Sequence, residues 1–276
     1  MNLFEQTKEL CRLYDIKPAR SKGQNFLISE EIYDQMIVAA NLQPNDIILE
    51  VGPGLGFLTA KLAKRVSRVI AVELDDKLAE ILRTGLMAQG IKNVEVINKD
   101  ILQFSSLNYK LQNYKVVANL PYNITSIFLR KFLEMEIKPE LMVLMLQKEV
   151  AERIAARPGK MSVLGISVQF YANAEMMQIV PAENFWPKPE VDSAIIKIKI
   201  RADSLLKKEQ EKNFFQLIKF GFSAKRKMLK NNLAAGFKID QTETEKKIIS
   251  AGLNSKIRAQ ELSINDWLKL LTIFNL

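Results

Sequence analysis

Short, nearly unbroken apolar runs recur through the first 200 residues, separated by stretches in which apolar residues return every three or four positions. Ile47–Val51, Val69–Glu73, Val94–Ile97, Lys115–Ala118 and Leu141–Gln147 are compact runs of the kind that strands buried on both faces show. Between them, Leu58–Val66 and Lys77–Gln89 carry helical periodicity. The alternation predicts a doubly wound α/β sheet, mostly parallel, with right-handed crossovers. Ser162–Tyr171 and Ala194–Ile200 are expected to be its last strands. In the second, Ile196, Ile198 and Ile200 alternate with Lys197 and Lys199, which predicts one wet face in an antiparallel edge pair.

After Arg201-Ala202-Asp203 the pattern turns wholly helical. Glu211–Phe222 places Phe214, Phe215, Ile218 and Phe222 on one stripe. Ser223–Leu233 reads as a further helix, with Met228, Leu229 and Leu233 on one side and Lys225, Arg226, Lys227 and Lys230 clustered elsewhere. Gly236 and Gly252 are candidate helix ends, and Ile264–Phe274 is a final helix. The pattern therefore predicts an α/β domain over residues 1–202 and a small all-α domain over 203–276. Repeats and low-complexity tracts are absent.

Charge sharpens this division. Residues 203–276 hold 14 Lys and Arg against 8 Asp and Glu, so most of the chain's formal +9 lies in its last quarter. A phosphate backbone is one partner that fits; a solvated charged face is the other reading. The chain has no histidine and only Cys11 as a thiol. That removes histidine-based triads, internal disulfides and thiolate metal clusters, and no metal site is expected. The first residues, MNLFEQTKELCRLYDIK, mix charges from residue 5 onward and offer no stretch suited to a signal peptide. Apolar runs such as Leu141–Leu146 are far too short to cross a bilayer. A soluble, cytoplasmic protein is expected.

Candidate chemistry gathers at the predicted strand ends. Ile47–Val51 runs into Gly52-Pro53-Gly54-Leu55-Gly56, where glycines permit close backbone approach to a ligand. Glu73 ends the next strand, 21 residues after Gly52, where a carboxylate can accept from both ribose hydroxyls. A dinucleotide site shares this plan. However, the third glycine of G-x-G-x-x-G is missing, and Pro53 removes one amide from any pyrophosphate cradle. Glu50 adds negative charge beside the loop, which suits a sulfonium or ammonium better than a phosphate. S-adenosylmethionine, with an adenosine and a cationic sulfur, is therefore the favoured ligand. Asp100, beyond the third strand, is either an acceptor for the cofactor's adenine amine or an ordinary turn residue. Asn119-Leu120-Pro121-Tyr122 closes the fourth strand with a carboxamide, a carbonyl that the proline keeps out of regular structure, and a ring. Those groups suit a flat base bearing an exocyclic amine, or a strand-to-loop turn whose tyrosine packs.

Taken together, these motifs resemble those of the rRNA adenine N6,N6-dimethyltransferases, specifically the bacterial branch acting near the 3′ end of small-subunit (16S) rRNA. The matching pieces are Gly23-Gln24-Asn25-Phe26-Leu27, Glu50–Gly56, Val72-Glu73-Leu74-Asp75, Asp100 and Asn119–Ile124, followed by Leu146–Arg153 and Phe185–Ala194. They run in consistent order over about residues 20 to 235. The resemblance implies a Rossmann-like class I methyltransferase fold with an antiparallel last strand. It implies S-adenosylmethionine as cofactor, held by Asn25, Leu27, Gly52, Glu73, Asp100 and Asn119. It further implies Asn119 and the Leu120 carbonyl on the target amine, and Tyr122 and Phe185 stacked on the target adenine. The partner would be 16S rRNA within the small ribosomal subunit, met during ribosome biogenesis by a monomer whose Lys225, Arg226, Lys227 and Lys230 contact RNA.

Two stretches depart from the family. A Lys-x-Tyr-Gly-x-Leu-Ser stretch is replaced by Pro158-Gly159-Lys160-Met161-Ser162-Val163-Leu164-Gly165, and the usual arginine pair before a lysine is Lys225-Arg226-Lys227. Lysine keeps the charge but loses bidentate geometry on phosphate. Three rivals remain at this point: a large-subunit (23S) rRNA methyltransferase of the macrolide-resistance type, a non-catalytic RNA-binding assembly factor, and a nicotinamide-dependent oxidoreductase.

Overall fold

The computed structural model describes residues 1–18 and 24–276; Gly23 of the first motif lies outside them. The described strands are β1 (Phe26–Leu27), β2 (Ile47–Val51), β3 (Arg68–Glu73), β4 (Val94–Asn98), β5 (Tyr114–Asn119), β6 (Leu141–Gln147), β7 (Ala172–Val180), β8 (Phe185–Trp186) and β9 (Ser193–Ile200). Seven of them form one sheet in the order β4-β3-β2-β5-β6-β9-β7. The β4-β3-β2-β5-β6 neighbours are parallel, and β9 runs antiparallel to β6. This is the doubly wound α/β sheet with a late antiparallel strand that the apolar runs predicted.

Helices α1 (Leu3–Leu13), α2 (Glu30–Ala40), α3 (Phe57–Ala63), α4 (Asp76–Ala88) and α5 (Thr125–Glu134) alternate with the strands. Local chemistry sets their ends. Asn2 and Glu5 form a capping box at α1, and Asp75 Oδ1 accepts from the Lys77 and Leu78 amides at the start of α4. The core of this part joins Ile32, Met36 and Ile37 of α2 to Ile48, Val69, Val117, Val143 and Ile195 of the sheet. Because strand order reverses between β2 and β5, their carboxyl ends diverge and leave a crevice, the place where open α/β sheets bind ligands.

The chain forms two compact units, residues 1–151 with 174–200, and residues 152–173 with 201–276. One crossing point lies close to the expected boundary at 202. The others fall within α6 (Lys148–Ile154) and at the start of β7, so residues 152–173 group with the C-terminal helices. Within that segment lies a correction. Ser162–Tyr171, expected as a strand, is helix α7 (Val163–Tyr171). The Ser162 hydroxyl caps it by accepting the Gly165 amide at 3.1 Å. A Cβ at Gly165 would meet the Arg153 carbonyl at 2.5 Å, so only glycine admits this packing. A short apolar run does not distinguish buried helix from buried strand, and capping decided it here.

β9 is antiparallel to β6 as expected, with Ile196 and Ile198 buried, Lys197 half-buried and Lys199 exposed, but it lies between β6 and β7 rather than at the edge, and Ile195 is buried as well. The second unit adds α8 (Lys208–Gly221), α9 (Leu229–Phe237), α10 (Gln241–Ser250) and α11 (Ile264–Ile273). Phe170 of α7 stacks on Phe214 of α8, with ring centroids 4.6 Å apart. The helix expected over Ser223–Leu233 begins only at Leu229. Asn232, buried, donates to the Gly221 and Ala224 carbonyls and holds residues 222–228 as a turn. Gly236 sits inside α9 against Phe220, whereas Gly252 follows α10 with φ +78° as a helix end should. Among the described residues, no helix is long and apolar enough to cross a membrane.

Candidate active site

A cavity of about 330 Å³ opens at the carboxyl ends of β2, β3 and β5. Its floor is the glycine loop after β2. Gly52 has φ +64°, and its amide donates to the Val72 carbonyl at 2.9 Å, which lays the loop along β3. Gly56, φ +84°, starts α3 in contact with Leu82, and a Cβ there would clash with that side chain. Positive φ at Gly52 and Gly54 suits glycine, and there the loop brings bare backbone to the cavity.

Of the four carboxylates that line this space, Asp75 caps α4, and the other three are in different states. Glu73 accepts the Gly54 amide on Oε2 at 3.1 Å and the Asp75 amide on Oε1 at 2.9 Å. Each oxygen keeps a further lone pair, so a rigid carboxylate is available to a diol. Burial pushes its pKa up while those two amides pull it down. Asp100 turns on itself, its Oδ1 accepting from the Leu102 amide at 2.8 Å, and the other oxygen remains for an amine. Both readings of Asp100 are therefore compatible with one geometry. The third, Glu50, is 1% exposed and its Oε2 has no hydrogen-bond partner. Burial, reinforced by the neighbouring Glu73 charge and opposed by the Thr59 hydroxyl, pushes its pKa up to about 8. A buried carboxyl with one unpartnered oxygen at a cavity wall fits a cationic ligand and opposes a phosphate.

Asn119 ends β5 on the opposite wall. Its Nδ2 donates to the Asn25 carbonyl at 3.3 Å, and a carbonyl can only receive from the nitrogen, so the side-chain oxygen is left as an acceptor. Leu120 anchors the loop, its side chain buried and its amide donating to the Met145 carbonyl at 3.2 Å. Pro121 then starts a short 3₁₀ turn over Tyr122–Ile124. Tyr122 is half-buried, with its hydroxyl 2.7 Å from Ser193 Oγ. From the N-terminal side, β1 pairs antiparallel with β8, placing Leu27 opposite Phe185.

A family model described as ribosomal RNA adenine dimethylase matches residues 17–276. The chain belongs to this family. Among curated relatives, the ribosomal RNA small subunit methyltransferase A of Dehalococcoides mccartyi is 45% identical over 271 residues, covering 98% of this chain and 92% of that one. Two solved structures are 28% identical and each covers 91% of this chain. A dimethyladenosine transferase from Plasmodium falciparum has a TM-score of 0.78 with 97% of its own chain covered, and the 23S rRNA methyltransferase ErmE has 0.76 with all of its chain covered. The architecture is that of a class I rRNA methyltransferase.

Within this dimethylase frame the expected residues do not all meet. Asn25, Leu27, Gly52, Glu73, Asp100 and Asn119 line the one cavity. Tyr122 lies on the loop beyond Asn119 and outside that lining. Phe185 is 2% exposed and packs in the core with Leu27 and Tyr33, so its ring does not reach the cavity in this conformation. In the second unit Lys225, Arg226 and Lys227 are exposed on the turn, but Lys230 pairs with Glu245 at 2.9 Å and is mostly covered. Sequence reasoning missed Tyr33, whose hydroxyl donates to the Leu27 carbonyl at 3.1 Å, and Lys131, whose ammonium donates to the Leu102 carbonyl at 2.7 Å beside Asp100. Neither belongs to a motif; both are isolated residues on helices.

Proposed function

We propose that the chain uses S-adenosylmethionine to dimethylate the N6 amines of two adjacent adenosines in the 3′-terminal hairpin of 16S rRNA, on the small ribosomal subunit during its biogenesis. The observation that carries this reading is Asn119, oriented as an acceptor by Asn25 at the rim of the carboxylate-lined cavity. The 45% identical relative named for the small subunit favours this substrate over the 23S rRNA named for ErmE.

When bound, the cofactor supplies an electrophilic methyl group on a cationic sulfur. Glu73 would hold its ribose hydroxyls, Asp100 its adenine amine and Gly52 its methionine part, and Glu50 would face the ammonium of that part. An adenine amine is a poor nucleophile because its lone pair is delocalised into the ring. The Asn119 oxygen and the Leu120 carbonyl both accept from that amine, favouring a tetrahedral nitrogen and localising the pair. These are fixed dipoles, aimed before reaction at the group where charge develops. No general base is required, since the methylated nitrogen becomes acidic and loses its proton to solvent. Tyr122 supplies the ring on which the adenine stacks; Phe185 joins it only if the β1–β8 pair opens as RNA binds. The exposed Lys225, Arg226 and Lys227 hold phosphates, and the protein works as a cytoplasmic monomer.

Asn119→Ala tests the assignment. Methyl transfer should fall by roughly 10²–10³, while S-adenosylmethionine affinity changes little. Near-normal turnover would remove Asn119 from the mechanism.

A further inference from the structure

The turn that carries Tyr122 is fixed at its backbone but not at its ring. Pro121 has no amide hydrogen and the 3₁₀ turn has no side-chain cap; the Ile124 amide donates to the Pro121 carbonyl at 3.3 Å and the Thr125 amide to the Tyr122 carbonyl. The far end of the Tyr122 side chain is held by the 2.7 Å contact between its hydroxyl and Ser193 Oγ. Ser193 is completely buried at the first position of β9, in register with Gln147 of β6. Its predecessor Asp192 is itself pinned twice. The Asp192 carbonyl accepts the Lys148 amide at 2.9 Å, and Oδ1 accepts the Ala182 amide at 3.1 Å. Ser193 Oγ is therefore a fixed point in the scaffold, 71 residues away in sequence from the ring it holds.

We propose that Ser193 is a positioning residue for the target base, fixing the plane of the Tyr122 ring through the hydroxyl–hydroxyl bond. The inference rests on the reading of Tyr122 as the ring that meets the adenine. A tyrosine side chain tethered only at its Cβ sweeps two torsions, whereas stacking and in-line approach need one ring plane. Packing alone does not call for a hydroxyl at this strand position. A buried hydroxyl costs free energy unless it is paired, and alanine would fill the site without that requirement. Burial keeps the phenol neutral and thus able to donate or accept.

The test uses the full chain and five variants, Ser193→Ala, Ser193→Thr, Tyr122→Phe, Tyr122→Ala and the double variant Ser193→Ala with Tyr122→Phe. Each is assayed for single-turnover methyl transfer to undermethylated small subunits, for S-adenosylmethionine affinity and for thermal midpoint. Ser193→Ala and Tyr122→Phe should each slow transfer about three- to tenfold, with cofactor affinity unchanged. The double variant should be no slower than either single one, because all three lack the same bond. Ser193→Thr keeps a hydroxyl and should restore the rate. If Ser193→Ala does not fold, Tyr122→Phe removes the same bond from the ring side and decides the matter. Wild-type rates in Ser193→Ala with a crippled Tyr122→Ala would overturn the tether while leaving the ring's role intact. Wild-type rates in Tyr122→Ala would overturn both.

Discussion

Replacing Glu50 by glutamine isolates a buried titrating group of the catalytic unit. Its carboxyl is 1% exposed and one oxygen is unpartnered, with Glu73, Tyr33 and Thr59 as its polar neighbours. The folded protein raises its pKa from 4.5 to about 8. At about 1.36 kcal/mol per pH unit, that difference corresponds to roughly 5 kcal/mol at most. Between these two values the folded state holds a proton that the unfolded chain has released. The ligand-free protein is therefore most stable below pH 4.5, as far as this group is concerned, and loses stability as pH rises to about 8. Glutamine keeps the neutral shape and does not titrate. Denaturant unfolding of wild type and Glu50→Gln should thus diverge steadily from pH 5 to 8.5, with the variant more stable by several kcal/mol at the alkaline end. Binding should reverse the order: an ammonium against Glu50 favours the ionised form, so the variant should bind S-adenosylmethionine more weakly above pH 7. Parallel stability curves for the two proteins would refute the account of Glu50.

Lys131→Met removes the ammonium that holds the Leu102 carbonyl at 2.7 Å. The KM for S-adenosylmethionine should rise about three- to tenfold with kcat nearly unchanged; initial rates at varied cofactor concentration read this, and an unchanged KM would show that the Asp100 turn holds itself. Replacing Lys225, Arg226 and Lys227 together by glutamine should reduce the slope of log K for RNA against log salt by about 2–3. A filter-binding titration checks it, and an unreduced slope would place RNA elsewhere. Lys230→Met should leave that slope alone and instead lower the thermal midpoint, because its partner is Glu245.

Buried parallel strands were the most legible part of the chain. Ile47–Val51 and Leu141–Gln147 have the bounds that their apolar runs suggested, since a strand covered on both faces has no polar position to blur its ends. The carboxylates and the Gly52 loop were legible for a related reason: in a wound sheet, strand ends share one rim. What escaped depended on distant partners. Val163–Tyr171 is a short apolar-rich run like a strand, and the Ser162 cap and the Arg153 contact at Gly165 that accompany the helix come from outside it. Lys225–Lys227 continues a helical pattern, yet Asn232 captures two carbonyls and turns the chain. Phe185 is covered because β8 pairs with β1, some 160 positions earlier, a pairing with no local signal. The same holds for the Tyr122–Ser193 bond.

In the proposed reaction Asn119 and the Leu120 carbonyl present an rRNA adenine amine to a methyl donor held by Glu73 and Asp100. The direct measurement offers this protein labelled S-adenosylmethionine with undermethylated small subunits, free 16S rRNA and free 23S rRNA, then identifies and maps the labelled nucleosides. N6,N6-dimethyladenosine at two adjacent adenosines of the 16S 3′-terminal hairpin is the predicted result. Label in 23S rRNA, label on any other atom, or no incorporation with cofactor bound would contradict it.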